Sequence, residues 1–183
     1  MPLTCRADAQ VCSTRCRVAR HRARRRAAAG SAPAELRRAD RWVRRSAKKV
    51  PLTTRGRAAS STNPATWCSY RDAVRSRAGV GLGFVLDRSD DIVCIDLDGA
   101  LDEAGRLVPW AADILARCPA TWVEVSPSGR GLHIWGRAPF RGGRRRGGVE
   151  VYGDSRYIAV TGRSFRSAPP VLADVTDLVE SLI

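Results

Sequence analysis

Apolar residues recur along this chain in two rhythms, and the alternation between them predicts its elements. Residues 34–45 carry Leu36, Ala39 and Val43 at helical spacing, which predicts a short helix leading to an extended Lys49-Val50-Pro51-Leu52. Asn63 has the chemistry of a helix N-cap with Pro64 at the first helical position, and Trp67, Tyr70 and Val74 then share one helical face to about residue 77. Residues 79–86 and 92–97 read as two strands joined by the turn Asp87-Arg88-Ser89-Asp90-Asp91, a hairpin. Residues 109–117 read as a helix, and 121–125 and 131–136 as strands either side of a Gly-Ser loop. A second hairpin is expected from 149–152 and 157–161, and an amphipathic helix from 174–183 closes the chain. No internal repeat is present. The expected fold class is α+β, a mixed, largely antiparallel sheet with packed helices.

Composition changes this picture at one end. The chain of 183 residues has room for one core of ordinary size plus a tail. Its net charge of +14 is concentrated: residues 1–50 hold 15 Lys/Arg against 3 Asp/Glu, net +12, while residues 51–183 hold 17 against 15, net +2. The expected organisation is therefore a basic arm over 1–32 and a globular domain over 33–183. An arm containing Arg20-His21-Arg22-Ala23-Arg24-Arg25-Arg26 attracts a polyanion by counterion release, nucleic acid being the commonest, or serves as a solubilising tail. No uncharged apolar stretch reaches the 18 or more residues of a membrane span, and Met1-Pro2-Leu3-Thr4-Cys5-Arg6 has no apolar signal region. Six scattered cysteines form no disulfide framework, so a reducing, cytoplasmic location without membrane partners is expected. Cys12-Ser13-Thr14-Arg15-Cys16, running into basic residues, resembles the second half of a zinc ribbon. The partner Cys-x-x-Cys knuckle is missing, and Zn²⁺ would need Cys5, Cys12, Cys16 and His21 at an unusual spacing.

Three segments carry chemistry. The first is Ile92-Val93-Cys94-Ile95-Asp96-Leu97-Asp98-Gly99, where strand alternation puts Asp96 and Asp98 on one face and Ile95 and Leu97 in the core. Two carboxylates roughly 6–7 Å apart at the end of an apolar strand repel each other unless a cation neutralises them, and Mg²⁺ or Mn²⁺ are the hard ions that prefer such oxygens. Alternatively, both acids sit solvated in the loop after the strand. Asp-x-Asp-Gly after an apolar strand also resembles haloacid-dehalogenase-like phosphatases. Those need a downstream Lys and a later acidic pair, whereas both lysines here precede Asp96 and no adjacent acidic pair follows Glu103.

The second segment is Ser126-Pro127-Ser128-Gly129-Arg130-Gly131-Leu132-His133. Gly129 and Gly131 let backbone N–H groups approach an oxyanion, Ser126 and Ser128 add hydroxyls, and Arg130 and His133 add positive charge, so the loop looks like a phosphate cradle. It is not a P-loop, since the chain contains no Gly-Lys-Ser/Thr, which excludes a motor of that kind. The third segment holds Glu150 in Val149-Glu150-Val151-Tyr152, positioned to complete a three-carboxylate site, with Arg156 available to a phosphate or a template. Asp154 is the rival third acid, though its Gly-Asp-Ser context argues for a surface turn. Between them, residues 141–148 read as a flexible basic loop in which Arg144, Arg145 and Arg146 either touch a nucleic-acid backbone or are simply solvated.

Apolar-Asp-x-Asp, then Ser-Gly-x-Gly-x-His, then apolar-Glu with Arg-Tyr and Val-Thr-Gly, in that order, resembles the archaeo-eukaryotic primase superfamily. More narrowly it resembles the bifunctional primase/polymerase (prim-pol) domain of phage and plasmid replication proteins, over about residues 33–165. The resemblance implies a primase/polymerase-like core related to RNA-recognition folds. It also implies a template-directed nucleotidyltransferase using Mg²⁺ or Mn²⁺ in a two-metal site, with Asp96, Asp98 and Glu150 as metal carboxylates and His133 as the ligand of the incoming nucleotide. The implied partners are single-stranded DNA, nucleoside triphosphates and a replicative helicase on another chain. The alternatives are a catalytically weak module of the same fold that only binds single strands, and a metal-dependent phosphohydrolase.

Overall fold

The computed structural model describes residues 32–183. Its elements are α1 (Ala34–Arg38), β1 (Trp42–Arg45), β2 (Pro51–Leu52), a 3₁₀ turn (Pro64–Thr66), α2 (Tyr70–Arg75), β3 (Gly81–Leu86), β4 (Ile92–Leu97) and α3 (Pro109–Arg117). There follow β5 (Val123–Val125), β6 (Leu132–Arg137), β7 (Gly143–Arg146), β8 (Val149–Tyr152), β9 (Arg156–Val160), β10 (Ala173–Asp174) and α4 (Thr176–Leu182). They form two sheets rather than one: a four-stranded sheet in the order β2-β1-β3-β9, and a six-stranded sheet in the order β10-β6-β4-β8-β7 with β5 paired to β6. Every pairing but β10–β6 is antiparallel, and the α+β expectation holds.

The alternation along β4 shows how the layers meet. Val93, Ile95 and Leu97 face one core, where they meet Ala111 and Ile114 of α3 and Leu178, Val179 and Leu182 of α4. Ile92 and Cys94 face the other way, into a second core with Trp42, Phe84, Leu86, Trp135, Ile158 and Val160 of both sheets. Helices thus cover the outer face of the larger sheet, and the smaller sheet covers its inner face. Aromatic rings bridge the two sheets, with Phe84 edge-on to Trp42 at 5.3 Å and to Trp135 at 6.0 Å between centroids.

Five expectations fail, four of them because local pattern does not choose the partner strand. The helix over 34–45 stops at Arg38, because the chain turns extended and Trp42–Arg45 pairs with both β2 and β3. The helix from Pro64 breaks at Trp67, whose ring N–H reaches the Ser60 carbonyl. A new helix, capped by Ser69, starts at Tyr70. Neither hairpin exists: β3 pairs with β1 and β9 while β4 pairs with β6 and β8, and β8 and β9 likewise belong to different sheets. The basic loop is a strand instead. β7 pairs with β8 through a two-residue Gly147-Gly148 turn, for which the positive φ of 61° at Gly147 suits glycine.

Candidate active site

The register of strand pairing lines up the site. Asp96 on β4 is opposite His133 on β6 and, on its other side, opposite Glu150 on β8. His133 is in turn opposite Glu124 on β5, and Glu150 is opposite Arg145 on β7. Five strands therefore carry Arg145, Glu150, Asp96, His133 and Glu124 abreast, and directly opposed side chains share a face. That face is the one that carries Ile92 and Cys94 further back, so the row stands where apolar packing between the sheets gives way to charge.

Charges of opposite sign meet along the row except at its centre, where Glu150 and Asp96 are adjacent acids. Arg145 Nη1 lies 2.9 Å from Glu150 Oε1, and the Tyr152 hydroxyl donates to Glu150 Oε2. His133 Nδ1 is 3.0 Å from Glu124 Oε1, and its Nε2 is 3.8 Å from Asp96 Oδ1, too far for a hydrogen bond. Asp96 Oδ1 is consequently buried with no partner. Burial raises the Asp96 pKa; His133 opposes the shift, while Asp98 and Glu150 add to it. For His133, burial works against the imidazolium, but the hydrogen bond to Glu124 and the charges of Glu124 and Asp96 outweigh it and raise the pKa. Lys49, in the β1–β2 turn, acts electrostatically on both groups from the smaller sheet. Burial and the bond to Glu150 push the Tyr152 hydroxyl up to about 12.

Asp98 lies just past β4 and is exposed, its backbone N–H held by the Gly148 carbonyl at 2.8 Å. The Ser-Gly loop is tied up internally: Gly129 N–H bonds the Ser126 carbonyl, Arg130 N–H bonds Ser128 Oγ, and the two serine hydroxyls pair at 2.9 Å. A side chain at Gly131 would meet Ser126 Oγ at 2.9 Å and the Leu97 carbonyl at 3.0 Å, which is why the loop packs so close to the end of β4. Arg130 and Ser128 remain exposed beside it. Arg156 stacks on the Tyr152 ring at 4.7 Å. Asp154 is apart from the row and, contrary to the surface reading, buried: its carboxylate accepts from Gly142 N–H and lies 3.7 Å from Arg88. Arg144 and Arg146 are exposed on the edge strand β7. The zinc candidates Cys5, Cys12, Cys16 and His21 lie outside the described residues.

The divalent cation implied by the family resemblance meets a mixed reception. A bare, buried anionic oxygen on Asp96, with a second carboxylate directly across the strand pair, is the donor chemistry a hard cation completes. Among the described residues, however, no three Asp, Glu, His or Cys side chains converge as a ready-made metal site. Both Glu150 oxygens are already engaged, by Arg145 and Tyr152. A cation held by both Asp96 and Glu150 would require Glu150 to leave Arg145 or Tyr152.

Glu124, Tyr152 and Lys49 went unassigned by the sequence reasoning. For Glu124 a signal existed: Val123-Glu124-Val125 has the same apolar-Glu-apolar alternation as Val149-Glu150-Val151, but only the second lay beside an Arg-Tyr motif.

Comparison with known proteins places this chain in a family of DNA primase/polymerase domains. The bifunctional DNA primase/polymerase N-terminal family (Prim-Pol) matches residues 10–171. A DNA primase-polymerase of Nitratiruptor phage NrS-1 is 39% identical over 140 residues, 68% of this chain and 19% of that protein. The chain belongs to the Prim-Pol family, and it spans about a fifth of the length of this relative.

Proposed function

We propose that residues 33–183 form a nucleotidyltransferase domain that copies single-stranded DNA from nucleoside triphosphates, with Mg²⁺ or Mn²⁺ held by Asp96, Asp98 and Glu150. The observation that carries the reading is the abreast placement of Glu150, Asp96 and His133 on three adjacent strands, with one Asp96 oxygen buried and unpartnered. When bound, divalent ions would lower the pKa of a primer 3′-hydroxyl and neutralise charge on the triphosphate. The chain's own residues supply the rest. His133 faces the row with Nε2 and, as the imidazolium that Glu124 and Asp96 favour, donates from Nε2 to a phosphate oxygen; Arg130 and Ser128, exposed beside it, add charge and a hydroxyl. Arg145 shifts from Glu150 to the incoming phosphates, and Lys49 reaches the same space from the smaller sheet. Exposed Arg144 and Arg146, with the basic arm, hold template phosphates without reading sequence. No Gly-Lys-Ser/Thr stands in these 183 residues, so no unwinding step is assigned to this domain. Among the described residues no helix is long and apolar enough to cross a membrane.

A binding-only module of the same fold has one observation on its side, the prior engagement of both Glu150 oxygens. Incorporation of labelled nucleotide on single-stranded DNA with Mn²⁺ or Mg²⁺ separates the two. The polymerase reading expects incorporation that is lost on replacing Asp96 and Asp98 together by Ala. Incorporation that survives this change removes it, and salt-sensitive binding without incorporation selects the module.

A further inference from the structure

The buried carboxylate of Glu124 has no place in the mechanism above, yet the chain invests heavily in holding it. Glu124 has no exposed surface. Its Oε2 accepts from the backbone N–H of Thr161 at 2.9 Å and of Gly162 at 2.7 Å. The Thr161 hydroxyl lies 2.9 Å from the same oxygen and 2.7 Å from the Val125 carbonyl, and its single hydrogen serves one of them at a time. Gly162 has a φ of 66°, the left-handed conformation that brings two successive N–H groups onto one anion. Those donors follow β9, in the smaller sheet, whereas Glu124 sits on β5 of the larger one. The carboxylate is thus clamped from across the sheet interface, and only Oε1 is left to meet His133 Nδ1 at 3.0 Å.

We infer that Glu124 is the positioning residue for His133: an acceptor-only carboxylate, fixed by the Thr161-Gly162 clamp, that obliges Nδ1 to carry a hydrogen and presents Nε2 to the Asp96 row. A carboxylate cannot donate, so a neutral His133 bonded to it is the Nδ1–H tautomer. The same contact fixes ring orientation, since His133 is itself almost wholly buried at 3% exposure and β6 sets its backbone. A Gln at 124 has nearly the same shape and can still accept from the two backbone N–H groups. Its amide N–H₂ then points at Nδ1, which must become the acceptor, and the hydrogen moves to Nε2.

The positioning itself is independent of turnover; only its consequence rests on the polymerase reading. The chain has two histidines, so a His21→Gln background leaves His133 as the sole imidazole. Long-range ¹H–¹⁵N correlation in metal-free protein, at a pH where the ring is neutral, reads the tautomer directly. The expected result is Nδ1–H for Glu124, Nε2–H for Glu124→Gln, and return to Nδ1–H for Glu124→Asp. An Nε2–H tautomer with Glu124 in place, or no change in Glu124→Gln, overturns the inference. Thr161→Val, which removes a hydroxyl and leaves both backbone donors, should keep the Nδ1–H tautomer and guards against a misfolded Gln variant. In the incorporation assay Glu124→Gln, which removes the negative charge that favours the His133 imidazolium and so replaces a charge-assisted bond to phosphate by a neutral one, should raise the nucleotide KM by about tenfold, with a smaller change in kcat. A wild-type protein that shows the tautomer but no incorporation retires the polymerase reading and leaves the positioning intact.

Discussion

Replacing Asp96 by Asn isolates the electrostatic conflict at the centre of the row. In the metal-free protein Asp96 Oδ1 is buried and unpartnered, and the carboxylate faces Glu150 directly across a strand pair with Asp98 nearby. An unsatisfied buried polar atom costs about 1–3 kcal/mol. Attraction to His133, 3.8 Å away, returns part of that and is lost with the charge. The expected balance is a gain of about 1 kcal/mol for Asp96→Asn, or roughly 3 °C in Tm for a domain of this size. Because burial and the two neighbouring acids raise the Asp96 pKa, the folded state binds this proton more tightly than the unfolded chain does. Stability from that group is therefore present below the unfolded value of about 3.9 and lost as pH rises through the raised folded value. The advantage of Asn should accordingly appear near neutral pH and vanish in acid. Metal reverses the ranking. An ion present at about 100 times its Kd stabilises the wild type by about 2.7 kcal/mol, and most of that gain should disappear in the variant. Thermal melts in EDTA and across a Mn²⁺ titration measure both effects. A variant less stable than wild type in EDTA, or one that keeps the full Mn²⁺ shift, refutes the reasoning.

Three further outcomes follow from the same geometry. Arg145→Ala frees Glu150 Oε1, so the Mn²⁺ midpoint in a melting titration should fall, while stability drops by about 1 kcal/mol, because Arg145 is mostly exposed and the buried Glu150 keeps its bond from the Tyr152 hydroxyl; an unchanged midpoint argues that Arg145 does not compete with metal. Gly136→Ala places a Cβ 2.6 Å from a Val175 methyl and 2.8 Å from the Ala173 carbonyl. The loss should be about 1–3 kcal/mol by urea denaturation, with little change in m-value. Deleting residues 1–30, which hold 8 Arg against a single Asp, should flatten the salt dependence of single-strand binding, read by fluorescence anisotropy. The slope should fall by about 0.7 for each phosphate the arm had neutralised, and an unchanged slope would show that the arm does not touch the strand.

Asp96, Glu150 and His133 were legible in the sequence because each stands at an alternate position of a short apolar strand, where a charge has no packing reason to be. The same logic predicted α3 from Pro109 to Arg117, and it would have found Glu124 had the pattern Val123-Glu124-Val125 been weighed like its twin. Period-two alternation reports which residues share a face of their own strand, since that depends only on local backbone geometry. It carries no information about the neighbouring strand. Pairing β3 with β9 rather than β4, and β8 with β4 rather than β9, was decided by the burial of Phe84, Trp135 and Ile158 between two sheets. That gain exists only when residues far apart in sequence meet. The arginines at 144–146 became a strand for the same reason: Val149 and Val151 pack beneath them against the helices, and the Gly147-Gly148 turn folds the edge back. Chemistry-bearing residues were therefore set by the sequence alone, while their assembly into one row with two adjacent acids at its centre, and the clamp on Glu124 from the opposite sheet, belong to the tertiary structure.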